Sequence, residues 1–146
     1  MKIRKATKKD IPAIVRMMNS SENLAGSKEI VEIWNKLDIL DFLSHRLYQI
    51  FVCEIDKKVV GVSIIEFHKI VNRSYIYYYV LVIDSAYRGK GIGSKMMDYI
   101  ENLAKKNRVK LIWALAEENN KVMKKIFAKR GYKKGKKFIY FSMELK

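Results

Sequence analysis

Tyr75-Ile76-Tyr77-Tyr78-Tyr79-Val80-Leu81-Val82-Ile83, then four residues, then Arg88-Gly89-Lys90-Gly91-Ile92-Gly93-Ser94 is the stretch that decides the fold. Its first part is dense in β-branched and aromatic residues and reads as a strand. The glycine segment then opens a helix-patterned run reaching about Asn107, with Ile92, Met96, Ile100 and Leu103 at helical spacing. A strand, a glycine loop and a helix together build an anion site from main chain alone. Glycine permits φ > 0 and close approach of a ligand. The first turn of a helix has N–H groups without partners and a dipole that favours negative charge. The segment predicts a phosphate loop.

Two common phosphate loops do not fit. A Walker A loop needs Gly-x-x-x-x-Gly-Lys-Ser/Thr, but five residues after Gly89 stands Ser94. A dinucleotide fingerprint needs Gly-x-Gly-x-x-Gly and an acid about 20 residues on. This chain has Gly89-x-Gly91-x-Gly93, with no strand-ending acid at that distance. What it does contain is Arg88-x-x-Gly91-x-Gly93.

Outward from this loop, the chain reads as one domain over residues 1–146, with one proline and no repeat or Ser/Gly-rich linker. Residues 2–6 form a short strand. Thr7-x-x-Asp10 has the form of a capping box before a helix that begins near Pro12, with Ile11, Ile14, Val15 and Met18 on one face. A second helix is expected from about Lys28 to Tyr48. Gln49–Ile55 and Val59–Ile70 flank Asp56-Lys57-Lys58 as a hairpin. After the glycine loop and its helix come a strand over Lys110–Ala116, a helix over Asn119–Arg130 ended by Gly131, and a last strand over Phe138–Leu145. A small extra strand at Tyr132–Lys134 is also considered. The order predicts an α/β fold with a mixed central sheet of six or seven strands and about four helices. The unit from Ser74 to Ala116 would be a right-handed parallel crossover.

Charge is lopsided. Residues 1–84 carry 13 basic and 10 acidic side chains; residues 85–146 carry 17 and 5. A strongly basic half suits a polyphosphate ligand as well as nucleic acid. Cys53 is the only cysteine, which excludes an internal disulfide and a cysteine-cluster metal site, and no metal is expected. No apolar run has membrane-spanning length, and the opening Met1-Lys2-Ile3-Arg4-Lys5 lacks the pattern of a secretory leader. The cytoplasm is the expected compartment.

Several segments in order resemble the GNAT superfamily of acyl-CoA-binding N-acetyltransferases. They are Ile3–Ile11, Phe51–Val62, Leu81-Val82-Ile83 with Tyr87–Gly93, and Asn120, Met123, Phe127, Gly131 and Tyr132. The resemblance implies a GNAT fold and acetyl-CoA as cosubstrate. It implies that main-chain groups of Leu81 and Ile83 hold the pantetheine arm like an added strand. Backbone N–H groups across Arg88, Gly89, Lys90, Gly91, Ile92, Gly93 and Ser94 would hold the pyrophosphate, with the charges of Arg88 and Lys90 and the Ser94 hydroxyl assisting. Asn120 would contact the cofactor near its reactive end, or cap its helix. A backbone N–H near Val82–Ile83 would face the developing oxyanion. The family often has a tyrosine, credited with protonating the leaving thiolate, where this chain has Phe127. Tyr132, Tyr140 or water are the substitutes the sequence offers.

The expected reaction is direct attack of a primary amine on a thioester. A lysine-type amine has pKa about 10.4, so a base speeds attack at neutral pH. Glu66, which interrupts an apolar strand, is the candidate base. His68 lies on the same face. The acceptor, a small molecule or a peptide or protein amine, would be recognised from about Asn19 to Tyr48. Tyrosines alternating on the strand after Ser74 could shape that cleft. Two other readings are a non-catalytic acyl-CoA sensor and a basic nucleic-acid-binding module. The second lacks an RNA-recognition signature. A homodimer is a further expectation, through the last strand or the Ile30–Leu47 helix.

Overall fold

A computed structural model describes residues 1–20, 34–71, 73–137 and the odd-numbered residues from 139 to 145. It contains strands β1 (Lys2–Lys5), β2 (Tyr48–Ile55), β3 (Lys58–Ile70), β4 (Arg73–Ile83) and β5 (Leu111–Ala114). Its helices are α1 (Ile11–Met18), α2 (Lys36–Ser44), α3 (Ile92–Lys106) and α4 (Lys121–Lys129). The chain divides into two compact units, Met1–Leu115 and Ala116–Lys146.

The first unit holds a mixed sheet in the order β1-β2-β3-β4-β5. β1 to β4 pair antiparallel, and β5 joins β4 in parallel through the α3 crossover. α1 and α2 cover one face, where Ile11, Ile14, Met17 and Ile39 pack on Ile50, Val52, Val62 and Ile64. α3 covers the other, with Ile92 and Met96 on Cys53 and Val60. Gly61 lets α3 approach closely: a Cβ there would stand 2.7 Å from Met96 Sδ and 3.0 Å from Ile83 Cδ1. Cys53 is a core residue, its thiol pKa pushed up by burial.

Local signals set most boundaries. The Asp10 carboxylate accepts hydrogen bonds from the Thr7 N–H at 2.7 Å and the Thr7 hydroxyl at 3.0 Å, opening the turn that leads into α1. The hairpin between β2 and β3 turns on Asp56 (φ 48°) and Lys57 (φ 63°), the left-handed pair that matches strand twist. α2 is shorter than the helix expected over Lys28–Tyr48. Asn35 caps its start through Leu37 N (2.7 Å) and Asp38 N (3.2 Å), and His45 leaves helical geometry at ψ 125°. Tyr48 therefore begins β2, and residues 28–33 lie outside the described residues.

Among the described residues the sheet has five strands where six or seven were expected. Residues 132–137 carry no strand, consistent with four lysines around Gly135 that repel one another and have low strand preference. Of the last expected strand, Phe138, Tyr140, Ser142 and Glu144 lie outside the described residues. Ile139, Phe141, Met143 and Leu145 have no strand assignment. Apolar alternation specifies an extended backbone, not the edge it joins.

Arg4 ties β1 to its neighbours. Its guanidinium donates to both Asp10 oxygens (2.8 and 2.9 Å) and to Glu54 Oε2 (2.7 Å). These bonds, with those from Thr7, outweigh burial and hold the Asp10 carboxyl down at about 2. Because the folded value lies below the unfolded one, the stabilisation is complete above about pH 4 and fades as pH falls towards 2. At 1.36 kcal/mol per unit it amounts to about 2 kcal/mol. Asp10→Asn should remove it: thermal melts from pH 5 to pH 2 should show a shallower acid loss of Tm in the variant than in the parent chain.

Candidate active site

β4 pairs with β3 along its whole length but with β5 only from Tyr75 to Tyr78. Residues 80–83 therefore have an open edge among the described residues. The register steps here, Ile64 opposing Val80 and Ile65 opposing Tyr78, so Tyr79 is the extra residue of a bulge. The Asp84 N–H donates to Val60 O at 3.0 Å, which sets the phase of the ladder beyond the bulge. Antiparallel alternation then turns the main-chain groups of Leu81 and Ile83 towards the open side and those of Val82 towards β3. Arg88 Nε donates to the exposed carbonyl of Ile83 at 3.1 Å.

That edge runs into the glycine loop. The Asp84 carboxylate accepts from the Ala86 N–H at 3.2 Å and lies 3.6 Å from both Arg16 and Lys58. Burial alone would raise its pKa, but the Ala86 bond and the two cations prevail and lower it. Asp84 thus stays charged and fixes the turn before the loop. Lys58 and Lys90 each place an ammonium 5.1 Å from the centre of the Tyr87 ring. Lys90 also donates to Ala86 O at 3.1 Å.

Gly89 (φ 73°) and Gly91 (φ 76°) take left-handed geometry, and Gly91 is the N-cap of α3. A Cβ at either would meet nothing within 4 Å, so the glycines serve backbone shape and an open approach. The Lys95 N–H makes the first helical bond, to Gly91 O at 3.0 Å. The N–H groups of Ile92, Gly93 and Ser94 precede it and take no bond from the helix ladder. Ile92 buries its side chain beneath the loop, so only its main chain can serve a ligand. This cradle suits a diphosphate, and the open edge beside it suits an extended amide-bearing chain.

A second group lies on the α1/α2 face. One lateral row crosses four strands: Tyr48 opposes Glu66, Glu66 opposes Tyr77, and Tyr77 opposes Trp113. Glu66 Oε2 stands 2.8 Å from His68 Nε2, both side chains being about one-fifth exposed. The His68 ring stacks on Tyr75 at 4.4 Å and 12°. Burial raises the pKa of the Tyr48 hydroxyl, and the charge of Glu66, its hydrogen bond to Glu66 and the charge of Asp41 raise it further. Burial and then Glu66 raise Tyr77 likewise. Glu66 is thus a half-buried carboxylate among hydroxyls and an imidazole.

Beside this row is a cleft of about 570 Å³, lined by Trp34, Asn35, Leu37, Asp38, Asp41, Phe42 and Tyr79. The Asn19 side chain pins Trp34, accepting from its N–H at 2.9 Å and donating to its carbonyl at 2.6 Å. The alternating tyrosines of β4 were a sequence signal for this wall. Phe42 and Trp113 were missed, because both look like packing residues until register and helix placement are known.

Asn120 lies in the second unit, where its side chain caps α4 by accepting from the Met123 N–H at 3.0 Å. The Phe127 ring packs at a tilt of 47° against Tyr132 there, ring centres 5.0 Å apart. Tyr140 lies outside the described residues. Among the described residues no group of three or more His, Cys, Asp and Glu could hold a metal ion, and no helix is long and apolar enough to cross a membrane.

The model of the Acetyltransferase (GNAT) family matches residues 14–132, and the chain belongs to that family. Solved structures share the fold. An aminoglycoside acetyltransferase from an uncultured soil metagenomic sample, in complex with sisomicin, has TM-score 0.74 at 18% identity, covering 99% of this chain and 96% of that one. A transcriptional regulator from Bacillus halodurans C-125 has TM-score 0.82 at 17% identity, covering 97% and 99%. An aminoglycoside antibiotic 6'-N-acetyltransferase from Acinetobacter haemolyticus has TM-score 0.74 at 15% identity, covering all of both chains. No curated protein sequence matches.

Proposed function

We propose that this chain is an acetyl-CoA-dependent N-acetyltransferase acting on the primary amine of a small molecule. One observation carries the reading: the β4 edge over residues 80–83, which no described strand pairs, leads directly to the N-terminus of α3, framed by glycines. A strand edge and an anion cradle in series fit the two halves of CoA, its pantetheine amides and its diphosphate. The family match spans both compact units, which supports treating residues 1–146 as one acetyltransferase domain. Two of the similar structures are aminoglycoside acetyltransferases, which favours a small-molecule acceptor over a protein.

Acetyl-CoA supplies an activated acyl group, whose transfer forms an amide and releases the CoA thiol. The outward main chain of Leu81 and Ile83 aligns the pantetheine arm, with an N–H there to face the thioester oxygen as charge develops. The amides from Arg88 to Ser94, with the charges of Arg88 and Lys90, hold the diphosphate. Glu66 takes a proton from the acceptor ammonium, directly or through water, while His68 and Tyr48 hold its carboxylate in place. A thiol of pKa about 8.5 leaves without a strong acid, so Phe127 is compatible with turnover.

Calorimetry with acetyl-CoA, followed by thiol release across a panel of amines, tests the reading. Micromolar binding and thiol release with at least one amine are expected. Binding without release from any amine would make the chain a sensor. Heat from DNA or RNA but none from acetyl-CoA would overturn the assignment.

A further inference from the structure

Residues 67–75 and 104–111 hold six Lys or Arg and no Asp or Glu: Lys69, Arg73, Lys105, Lys106, Arg108 and Lys110. The fold gathers them at one end of the first unit. The β3–β4 hairpin ends there in the pair Ile70–Arg73. The Lys110 N–H donates to Ser74 O at 3.3 Å, and the Ser74 hydroxyl donates to Arg108 O at 3.3 Å. These bonds seat the end of α3 and the start of β5 beside the base of the hairpin. All six side chains are exposed, and none forms an ion pair among the described residues. Arg4, Arg16 and Lys58, by contrast, each face a carboxylate. Lys105 and Lys106 complement the dipole at the end of α3. Arg108 (φ 57°) takes left-handed geometry just past that helix, where glycine or asparagine is usual. The helix end thus accounts for two of the six cations.

The same end holds aliphatic groups in water. Val71, beyond the last pair of the hairpin, is 100% exposed, and Ile70 is 57% exposed. Turns favour Gly, Pro, Asn, Asp and Ser, so two β-branched residues are an unexpected choice for a tip the fold does not bury. In sequence the tip reads Lys69-Ile70-Val71-Asn72-Arg73, with the apolar pair between two cations. Leu111, opposite Tyr75 at the start of β5, adds a third exposed aliphatic side chain. Phosphates alone would answer the cations and leave these aliphatics in water. Nucleic-acid bases stack on aromatic side chains, and the apolar pair offers no ring. An anionic bilayer supplies both partners at once: headgroup phosphates for the cations and, just beneath, an acyl boundary for the aliphatics. Long Lys and Arg side chains reach back to the headgroups as the tip enters.

We propose that this end of the first unit is a docking surface for an anionic lipid bilayer, with Ile70 and Val71 entering the acyl boundary among the six cations. β4 begins at the tip and ends before the glycine loop, roughly 30 Å away along the strand. The docked chain thus keeps its diphosphate cradle clear of the membrane. The surface is independent of the acetyl-transfer reading.

Vesicle cosedimentation of the full chain at about 0.15 M salt tests this, with phosphatidylcholine alone and with about 30% phosphatidylglycerol added. The anionic vesicles should bind at least about tenfold more tightly. Ile70→Ser/Val71→Ser should lower that affinity at least about tenfold, and Lys69→Gln/Arg73→Gln at least about fivefold. Lys121→Gln/Lys125→Gln removes the same charge from exposed positions of α4 and should change it less than about twofold. A Val71→Cys variant carrying an environment-sensitive fluorophore should shift to the blue on anionic vesicles, and Cys53 is buried away from the label. Thermal melts verify that each variant is folded. No binding to anionic vesicles overturns the proposal. So does a tip variant that binds like the parent chain, an equal loss in the α4 variant, or a fluorophore that does not shift. A single-stranded RNA tests the rival partner: RNA binding that falls in the Lys69→Gln/Arg73→Gln variant, without vesicle binding, reassigns the surface to nucleic acid.

Discussion

Gly93→Glu should leave the fold intact and reduce acetyl-CoA affinity by 100-fold or more. Gly93 is the second residue of α3, it lies outside the left-handed region, and a Cβ there would meet only Ile83 Cγ1 at 3.7 Å, ordinary contact. Replacing a helical glycine gains about 0.5–1 kcal/mol. A carboxylate in the first helical turn gains about another 0.3–1 kcal/mol. The melting temperature should hold or rise. The same carboxylate would compete for the amides of α3 and repel an incoming diphosphate. A 100-fold loss corresponds to about 2.7 kcal/mol, within reach of one misplaced charge in a partly desolvated anion cradle. Differential scanning fluorimetry and calorimetry on one preparation read both effects. Undiminished acetyl-CoA binding in a stable variant would remove the loop from the site.

The second large effect concerns Glu66. Glu66→Gln should lower kcat/KM for the amine about 10²- to 10³-fold, within the usual range for loss of a general base. Acetyl-CoA affinity should not change. Glutamine keeps the shape and can still bond Tyr48 and His68, so the loss isolates the proton-accepting role. The defect should also shrink as pH rises. An alkylammonium with pKa near 10.4 increasingly sheds its own proton above pH 9 and then needs no base. A deficit constant from pH 7 to pH 10 would instead make Glu66 a structural residue.

How much could be read beforehand follows from the range of each signal. The glycine loop is local: Arg88, Gly91 and Gly93 and their place between strand and helix lie within about twenty consecutive residues. So are the Thr7–Asp10 capping pair and the Asp56-Lys57 turn, and the structure has all three. The row Tyr48–Glu66–Tyr77–Trp113 is non-local. It exists only because three strand pairings bring into line residues far apart in sequence, and no periodicity within one strand encodes that register. The bulge at Tyr79 was hidden for the same reason. α2 was overextended because Trp34, Leu37, Leu40, Leu43 and Leu47 fit a helical stripe. The Asn35 cap and the break at His45 confine the helix to Lys36–Ser44 and leave Trp34 to a cleft wall and Tyr48 to β2.

The clasp between Asn19 and Trp34 has a consequence for how such a protein can change. One amide side chain holds both main-chain groups of Trp34 beside the end of α1, fixing where the indole stands in the cleft wall. Changes of sequence that keep this clasp keep the indole in place. The cleft wall is thereby secured by contacts separate from those that shape the turn after β4.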